Sequence, residues 1–326
     1  MSELKALHIT DTHENPAVLE AVIEFVKDKQ VDVLYHTGDF IGNGHNKLPN
    51  YEDKLVEYHE QNKHKKTSPE SFLKENGIDP KTFSDGESLK QAFEELSDEK
   101  KEEFEQIQGN LQDYMKGIET IITDSINKEL KPHLQELGQY IPRRLGVCGN
   151  HDPPPYFHSL LGNEMEFLDK SDVSSTTVTG KTGTEFVYKG IINSYEPTRS
   201  FQILQDYQEL WENKVAGDSY ENPRMFQPEI IKEAQKKEKQ RLDDGKSIDV
   251  LLMHKDSEHP NYGTSELAKE LHAGAKSTCT GHVHSPYVAV KQGVPIINPG
   301  SNGFAVIDYD NNKEIELITL YKIVYN

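Results

Sequence analysis

Residues 4–40 read LKALHITDTHENPAVLEAVIEFVKDKQVDVLYHTGDF, and their hydrophobic pattern indicates the fold class. Leu4–Ile9 is a short apolar run that ends in polar residues, which is typical of a buried strand leading into a loop. Pro16–Lys29 carries apolar residues at helical spacing, with Asn15 as the N-cap and a proline at the first helical position. Val31–Tyr35 is the next apolar run. This order predicts a βαβ unit with two parallel strands buried on both faces.

The chain between Gly44 and Pro142 is charged and helix-prone, and it separates this unit from the remaining predicted strands. From Ser97 to Leu137 apolar residues recur every three or four positions, with interruptions at Gly109, Gly117 and Pro132, which predicts a long amphipathic helix that is kinked or broken. The later predicted strands are Arg144–Cys148, Glu185–Asn193, Asp249–Met253, Thr278–Thr280, Tyr287–Val290, Val294–Ile297, Phe304–Asp308 and Ile315–Tyr321.

One α/β domain over residues 1–326 explains this pattern better than two domains do. It would carry a helical insertion at 46–138 and a second, smaller helical insertion at 200–244. The larger insertion is interpreted as a solvated helical block packed on itself and on the core. The alternative is an interface through which copies of the chain form a homo-oligomer.

Composition narrows the classes of function. The 326 residues carry a formal charge of −19, which argues against a nucleic-acid or anionic-membrane surface, because such surfaces are bound through Lys and Arg. A small phosphorylated substrate stays compatible with this charge, since a bound metal can reverse the charge locally. Two cysteines, Cys148 and Cys279, exclude a disulfide framework. No signal-like start and no membrane-length apolar run are seen, so we expect a cytoplasmic protein.

Side chains that can bind a metal ion follow five of the predicted strands. In a parallel α/β sheet, ligand sites form outside the carboxyl ends of the strands, so we expect these side chains to converge. Residues two apart in extended backbone point to the same side, so Asp11 and His13 can reach one metal, and His282 and His284 can face one pocket. The full set is Asp11, His13, Asp39, Asn150, His151, Asp152, His254, His282 and His284.

The ordered motifs resemble those of the calcineurin-like metallophosphoesterase superfamily. They are Asp11-x-His13, Gly38-Asp39, Gly149-Asn150-His151-Asp152, His254 and Gly281-His282-x-His284. Asp11-Thr12-His13-Glu14-Asn15 and Asn298-Pro299-Gly300-Ser301 are most similar to its small bacterial and archaeal phosphodiesterase branch, although Glu14 stands where that branch usually has Gly. The resemblance covers about residues 4–44, 142–194 and 248–320, and it implies a four-layer α/β/β/α sandwich.

The resemblance also implies a two-metal site. Asp11, His13, Asp39 and His284 would hold the first metal, and Asp39, Asn150, His254 and His282 the second, with Asp39 as the bridge. Mixed nitrogen and oxygen ligands suit Mn²⁺, with Fe or Zn²⁺ as alternatives. Such a pair can deprotonate a shared water and clamp phosphate oxygens. His151 would protonate the leaving group or stabilise the transition state, and Asp152 would orient His151.

Two departures from the family pattern bear on the substrate. Phe40-Ile41-Gly42-Asn43 follows Asp39 where the protein Ser/Thr phosphatases of the superfamily have a carboxylate and an Arg. Cys148 stands where they have a second Arg, so bidentate phosphate recognition is lost and a phosphoprotein phosphatase is disfavoured. A phosphodiesterase is favoured over a monoesterase. The alternatives are a DNA-repair-type nuclease of the superfamily and a non-catalytic scaffold on the same fold. Four other histidines, His45, His158, His259 and His272, are expected on the surface or behind the ligands.

Overall fold

A computed structural model describes residues 2–13, 15–41, 51–62, 65, 69–80, 86–149, 152, 154–169, 175–191, 248–255 and 266–323. The described residues divide into two compact units. Unit 1 is drawn from Met1–Asn50, Asp124–Glu196 and Arg224–Asn326, and unit 2 from Tyr51–Thr123 and Pro197–Pro223. The predicted helical insertion at 200–244 lies outside the described residues, and the insertion bounds stay predictions.

Twelve strands occur in the described chain. They are β1 (Leu4–Ile9), β2 (Val33–His36), β3 (Arg143–Gly146), β4 (Glu166–Phe167), β5 (Ser175–Thr179), β6 (Glu185–Gly190), β7 (Ile248–Leu252), β8 (Ala275–Cys279), β9 (Tyr287–Lys291), β10 (Val294–Asn298), β11 (Gly303–Tyr309) and β12 (Ile315–Lys322).

The helices of the described chain are α1 (Pro16–Lys27), α2 (Tyr51–Gln61), α3 (Pro69–Glu75), α4 (Gly86–Glu94), α5 (Asp98–Ser125), α6 (Lys131–Tyr140), α7 (Pro154–Leu160) and α8 (Glu266–Gly274). A π-helical segment, Ile126–Leu130, joins α5 to α6. None of the helices in the described ranges combines the length and apolar character needed to cross a bilayer.

Two six-stranded sheets form the centre of unit 1. Sheet 1 has the order β12-β11-β1-β2-β3-β4, and sheet 2 has the order β5-β6-β7-β8-β10-β9. β1 and β2 are parallel, with Ala6 opposite Val33, as the predicted βαβ unit requires. β2, β3 and β4 continue the parallel run, whereas β11 and β12 join antiparallel. In sheet 2, β6, β7, β8 and β10 are parallel neighbours.

The two sheets pack face to face around one apolar core. The Tyr35 hydroxyl from β2 lies 2.8 Å from the Tyr188 hydroxyl of β6, and both rings are fully buried. The aliphatic side chains between the sheets include Leu4, Ala6, Val33, Leu145, Val250, Leu252, Ile297 and Ile307. On the outer side of sheet 1, Phe25 of α1 contacts Phe304, and α1 packs on α6. α8 covers β7 and β8, which completes the predicted α/β/β/α sandwich.

The first helix begins where the sequence predicts. The Asn15 side chain accepts a hydrogen bond from the Ala17 amide at 3.1 Å, and Pro16 occupies the first turn. α1 ends at Lys27 instead of the predicted Lys29, because Asp28 leaves helical geometry. The strand predicted at Thr278–Thr280 is part of the longer β8.

The long helix predicted from Ser97 is broken near its end. The break is the π-helical turn at Ile126–Leu130, just before Pro132 in the first turn of α6. The expected interruptions at Gly109 and Gly117 are wrong, since α5 runs through both. A Cβ on Gly117 would collide with the Tyr58 ring of α2, so this glycine allows the two helices of unit 2 to pack closely.

Candidate metal centre

The carboxyl ends of the parallel strands bring most of the predicted ligands together. Asp11 and His13 follow β1, Asp39 follows β2, His254 follows β7, and His282 with His284 follows β8. Their donor atoms form two groups, Asp11 with His13 and His284, and Asp39 with His254 and His282. Within each group the donor atoms lie within 4.8 Å of one another. Asn150 and His151 lie outside the described residues, so their placement stays a prediction.

Asp11, His13 and His284 make the first group. The Nε2 atoms of His13 and His284 lie 3.2 Å apart, and their ring centroids are 5.0 Å apart. An Asp11 carboxylate oxygen lies 3.9 Å from the His13 Nε2 and 3.6 Å from the His284 Nε2. The Asp11 carboxylate also accepts hydrogen bonds from the Thr10 hydroxyl at 2.7 Å and from the His282 amide at 3.0 Å. These bonds hold the Asp11 carboxylate with Oδ1 toward the imidazoles of His13 and His284.

Asp39, His254 and His282 make the second group. The His254 Nε2 lies 3.1 Å from an Asp39 carboxylate oxygen. The other ring nitrogen of His254 donates to the Thr37 carbonyl at 2.7 Å, which leaves Nε2 facing the site. The rings of His254 and His282 are 5.2 Å apart. Asp39 and His254 are buried, whereas His282 is partly exposed, so the group opens toward solvent at His282.

The backbone at these ligands adopts an unusual conformation. Asp11, His13, Asp39 and His282 have φ angles of 49°, 46°, 53° and 65°. They are four of the six described non-glycine residues in the left-handed region. Such residues cost free energy and cluster at functional sites, where the surrounding structure enforces them. The sequence pattern gave no indication of this conformation.

Glycines beside the ligands permit their close approach. Gly38 has φ +95°, and a Cβ there would lie 2.5 Å from the Gly149 amide nitrogen and 2.7 Å from the His254 ring. A Cβ on Gly149 would collide with the Asp39 carboxylate, and one on Gly281 with the Thr10 hydroxyl. The strand ends can therefore meet at the site only if these three positions lack a side chain.

The Asp152 carboxylate joins two loops. One oxygen accepts hydrogen bonds from the amides of Phe40 at 2.8 Å and Ile41 at 3.2 Å, and the other accepts from the Gly149 amide at 2.8 Å. Burial raises the pKa of Asp152 to about 8, Asp39 adds to the rise, and the backbone hydrogen bonds oppose it. Asp152 therefore ties the loop after β2 to the loop after β3, in addition to its predicted role of orienting His151.

The electrostatics of the site match a place for cations. Burial raises the pKa of Asp11 to about 7, and Asp39 adds to the rise while His254 opposes it. Burial also disfavours the charged ring of His254, but Asp39 and Asp11 raise its pKa to about 9. Asp39 thus raises the pKa of two other buried carboxylates, Asp11 and Asp152, and His254 opposes both rises. Divalent cations would supply the missing positive charge, and the carboxylate and imidazole donors suit such ions.

His36 is a positioning residue that the sequence did not predict. His36 stacks on Phe40 at 3.4 Å, its Nδ1 accepts from the Gly38 amide at 3.2 Å, and its Nε2 contacts the Thr12 hydroxyl at 3.1 Å. The ring therefore supports the turn that carries Asp39. The only sequence signal was its place at the end of an apolar strand.

Asn298 holds the loop that carries the last two histidines. Its amide nitrogen donates to the carbonyls of Gly281 at 3.1 Å and Val283 at 3.0 Å, and its oxygen accepts from the Gly300 amide at 2.8 Å. The Ser301 amide donates to the His284 carbonyl at 3.2 Å. The Asn298–Ser301 motif, recognised in the sequence without a role, thus fixes the His282–His284 backbone.

A further cluster lies beside the site. Cys148, His158 and Asp169 bring one thiol, one imidazole and one carboxylate within 4.8 Å of one another. The prediction that His158 is a surface or supporting residue missed this contact, because Asp169 lies in no motif. Cys148 is buried, and burial together with Asp169 raises the pKa of its thiol. His272 is buried under α8 and contacts the Thr278 hydroxyl at 2.9 Å. His45 and His259 lie outside the described residues.

Comparison with known proteins identifies the family. The family model for the calcineurin-like phosphoesterase superfamily domain matches residues 113–312, more than half of the chain, and a second one for calcineurin-like phosphoesterase matches residues 4–73. The chain belongs to the calcineurin-like phosphoesterase superfamily, whose members are metal-dependent phosphoesterases. A comparison with curated proteins gave no match.

The chain is similar to several solved structures. One crystal structure is similar with a TM-score of 0.50 at 15% identity, covering 99% of this chain and 100% of its own. Phosphopantetheinyl hydrolase of Mycobacterium tuberculosis is similar with a TM-score of 0.45 at 13% identity, with 92% and 89% of the two chains covered. The calcineurin-like phosphoesterase YfkN of Bacillus subtilis has a TM-score of 0.42 at 14% identity, with 98% and 91% covered. At 15% identity the first structure supports the fold alone, and no substrate follows from the other two.

Proposed function

We propose that this protein is a dinuclear metallophosphoesterase that hydrolyses a small phosphodiester. The observation that carries the proposal is the convergence of two three-residue donor groups at the carboxyl ends of β1, β2, β7 and β8. These groups divide the predicted ligands between two sites in the same way as the family motifs do. A non-catalytic scaffold would have no use for six converging donors, four of them on strained backbone.

The proposed ligand sets extend the two observed groups. Asp11, His13 and His284 would hold the first ion with Asp39 as a further ligand. Asp39, His254 and His282 would hold the second ion with Asn150 as a further ligand. Asp39 would then be shared. Its position supports this role, because its charge acts on both Asp11 and His254.

Two divalent cations bound there would activate a water as the nucleophile and neutralise the phosphoryl oxygens during in-line attack. Four histidines and three carboxylate or amide groups among the donors favour Mn²⁺, and Fe or Zn²⁺ would also fit the imidazoles. The chain's own residues supply the rest of the chemistry. Asp152 holds the loops after β2 and β3 together by accepting hydrogen bonds from three backbone amides.

His151 is proposed to deliver a proton to the leaving alkoxide. It follows Asn150 in the chain, so a ligand at Asn150 would place the His151 ring at the edge of the site. Asp152, the next residue, is buried, and its carboxylate accepts hydrogen bonds from backbone amides. General acid catalysis of this kind contributes about 10²–10⁴-fold to the rate.

The substrate is proposed to be small and phosphorylated. The chain lacks the Arg residues that would grip a phosphoryl group, both within Phe40-Ile41-Gly42-Asn43 and at Cys148. A diester also carries one negative charge fewer than a monoester dianion, so less charge needs neutralising. The charge of −19 disfavours nucleic acid as a substrate, so the DNA-repair-type nuclease is the weaker alternative.

Metal analysis combined with an ester assay tests the proposal. The protein loaded with Mn²⁺ is expected to hold two ions and to hydrolyse bis(nitrophenyl) phosphate faster than nitrophenyl phosphate. Asp39→Asn should lower the metal content at both sites and cost more activity than any other single ligand change, because Asp39 alone belongs to both proposed sets. Asp308→Asn is the matched control, since Asp308 pairs with Lys5 at 3.4 Å away from the ligands. Two ions at full occupancy in Asp39→Asn would show that Asp39 is not the bridge.

A further inference from the structure

Cys148, His158 and Asp169 come from three separate segments of unit 1. Cys148 follows β3, His158 lies on α7, and Asp169 follows β4. The Cys148 sulfur lies 3.8 Å from the His158 Nε2, and the same nitrogen lies 3.0 Å from an Asp169 carboxylate oxygen. None of these three residues belongs to the two donor groups of the phosphoesterase site.

The arrangement differs from a catalytic Cys-His-Asp relay. In a relay, one imidazole nitrogen faces the nucleophile and the other faces the carboxylate. Here a single nitrogen, the His158 Nε2, faces both the sulfur and the carboxylate. One donor atom from each residue therefore lies close to the other two, as the donors of a metal chelate do.

Two of the three donor separations bracket the spacing found around a zinc ion. Bond lengths of about 2.0–2.3 Å in a tetrahedral zinc site place neighbouring donors about 3.3–3.6 Å apart. The observed separations of 3.0 and 3.8 Å lie on either side of that range. The two Asp169 oxygens have separate tasks, because the second one accepts the Cys148 amide at 2.6 Å while the first faces His158. The carboxylate is thus held in place by the backbone of another ligand.

We propose that Cys148, His158 and Asp169 form a third metal site, which takes a zinc-like divalent cation with water as the fourth ligand. A thiolate, an imidazole and a carboxylate together favour Zn²⁺ over Mg²⁺ or Ca²⁺. The cation takes the place of the thiol proton, which leaves to solvent, and of the direct contact between His158 and Asp169. The His158 side chain is 10% exposed, which gives the cation a path from solvent.

Such an ion would brace the loop at the phosphoesterase site. After β3 the chain runs from Cys148 through Gly149 and Asp152 to His158 on α7. Joining Cys148 to His158 closes this segment, and Asp169 anchors it to β4. The proposed site is therefore structural, and its existence does not depend on the proposed phosphodiesterase activity.

Cobalt binding to the full-length protein tests the proposal. Thiolate-to-Co²⁺ charge-transfer absorption reports this site alone, because neither phosphoesterase donor group contains a cysteine. Wild-type protein titrated with Co²⁺ is expected to bind a third equivalent, and the charge-transfer band should grow with it. Cys148→Ser should lose both, whereas Cys279→Ser, which alters the one other cysteine of the chain, should keep both.

His158→Gln gives a second measurement that leaves the thiol in place. We expect this variant to bind the third equivalent at least tenfold more weakly, while His272→Gln, a change of another buried histidine, binds it as wild type does. Absence of a charge-transfer band in folded wild-type protein would overturn the proposal, and so would a band that survives in Cys148→Ser. Unchanged affinity in His158→Gln would overturn it as well, even if Cys148→Ser fails to fold. If only the proposed phosphoesterase site were wrong, the protein would lose the other two Co²⁺ equivalents. The third equivalent and its charge-transfer band would remain.

Discussion

His151 and the neighbouring ligands are expected to fail in different ways when they are substituted. His151→Ala should keep two metals and lose about 10²–10⁴-fold in the rate on alkyl phosphodiesters, because their leaving groups need a proton. The loss on nitrophenyl esters should be smaller, since nitrophenolate leaves without protonation. Steady-state rates on both ester types, together with metal content, check this prediction.

His282→Ala is the comparison for that experiment. Removing a ligand should empty or distort the metal site and reduce both activities together. Equal losses on both ester types in metal-replete His151→Ala would instead indicate that His151 stabilises charge without delivering a proton. Unchanged rates on both would remove His151 from the mechanism.

His8 makes the stability of the fold depend on pH. It lies in β1, fully buried, and burial lowers its pKa to about 3 from the usual 6.5. In the unfolded chain His8 binds a proton below about pH 6.5, whereas the native ring stays neutral, so the contribution of His8 to stability is lost as the pH falls below 6.5. The slope for one proton is about 1.4 kcal/mol per pH unit.

We therefore expect His8→Gln to flatten the fall in the free energy of unfolding between about pH 6 and pH 4. Urea unfolding at several pH values measures it. Thr37→Val is the control, because it removes the hydroxyl that lies 2.9 Å from the His8 Nε2 and leaves the titrating ring in place. An equally steep slope in His8→Gln would contradict the assignment.

The sequence predicted the chemistry-bearing side chains better than their support. Six of the predicted ligands converge because each follows a strand that can be predicted from its apolar run. The three amide contacts of Asp152, the His36 stack on Phe40 and the Cys148 cluster depend on pairs that are far apart in the chain. A local pattern carries no information on such pairs, and His36 within an apolar run looks like any buried strand residue.

At the scale of elements, local patterns placed strands within a few residues but did not give their partners. β1 matches its prediction at both ends, and its parallel pairing with β2 followed from the helix between them. Its other neighbour, β11, comes from the far end of the chain, so its place in sheet 1 could not be derived locally. β4 and β5 were missed, because one is two residues long and the other is a polar Ser-Thr-Thr-Val-Thr strand.

The helical block is expected to be separable from the metal centre if the cut respects the packing of α6. Ile126, Leu130, Leu134 and Leu137 belong to unit 1 and are buried, and α6 packs on α1. Replacing residues 51–123 by a Gly/Ser linker should give a folded protein that binds metal. Extending the deletion to residue 138 should lower the unfolding temperature strongly, because each buried aliphatic side chain contributes about 1.5–3 kcal/mol.

Thermal unfolding and metal content of the two deletion variants check this prediction. Light scattering on the shorter deletion also tests the alternative in which the block forms a homo-oligomer interface, since a loss of mass beyond that of the deleted residues would indicate dissociation. Failure of the shorter deletion to fold or to bind metal would mean that the block is part of the core.

At the scale of the whole molecule, the charge of −19 should affect how an anionic substrate reaches the site. The net field repels a phosphodiester, and the repulsion extends about 30 Å at 0.01 M salt but only about 8 Å at 0.15 M. We expect kcat/KM for a small phosphodiester to rise between these salt concentrations, because screening weakens the repulsion. The dianionic nitrophenyl phosphate is the matched comparison and should show a steeper rise. A nuclease that binds its substrate through a basic surface would lose affinity over the same range as counterions compete for the phosphates. A fall in kcat/KM with salt would therefore favour the nuclease, and cleavage of plasmid DNA by the metal-loaded protein would strengthen that alternative.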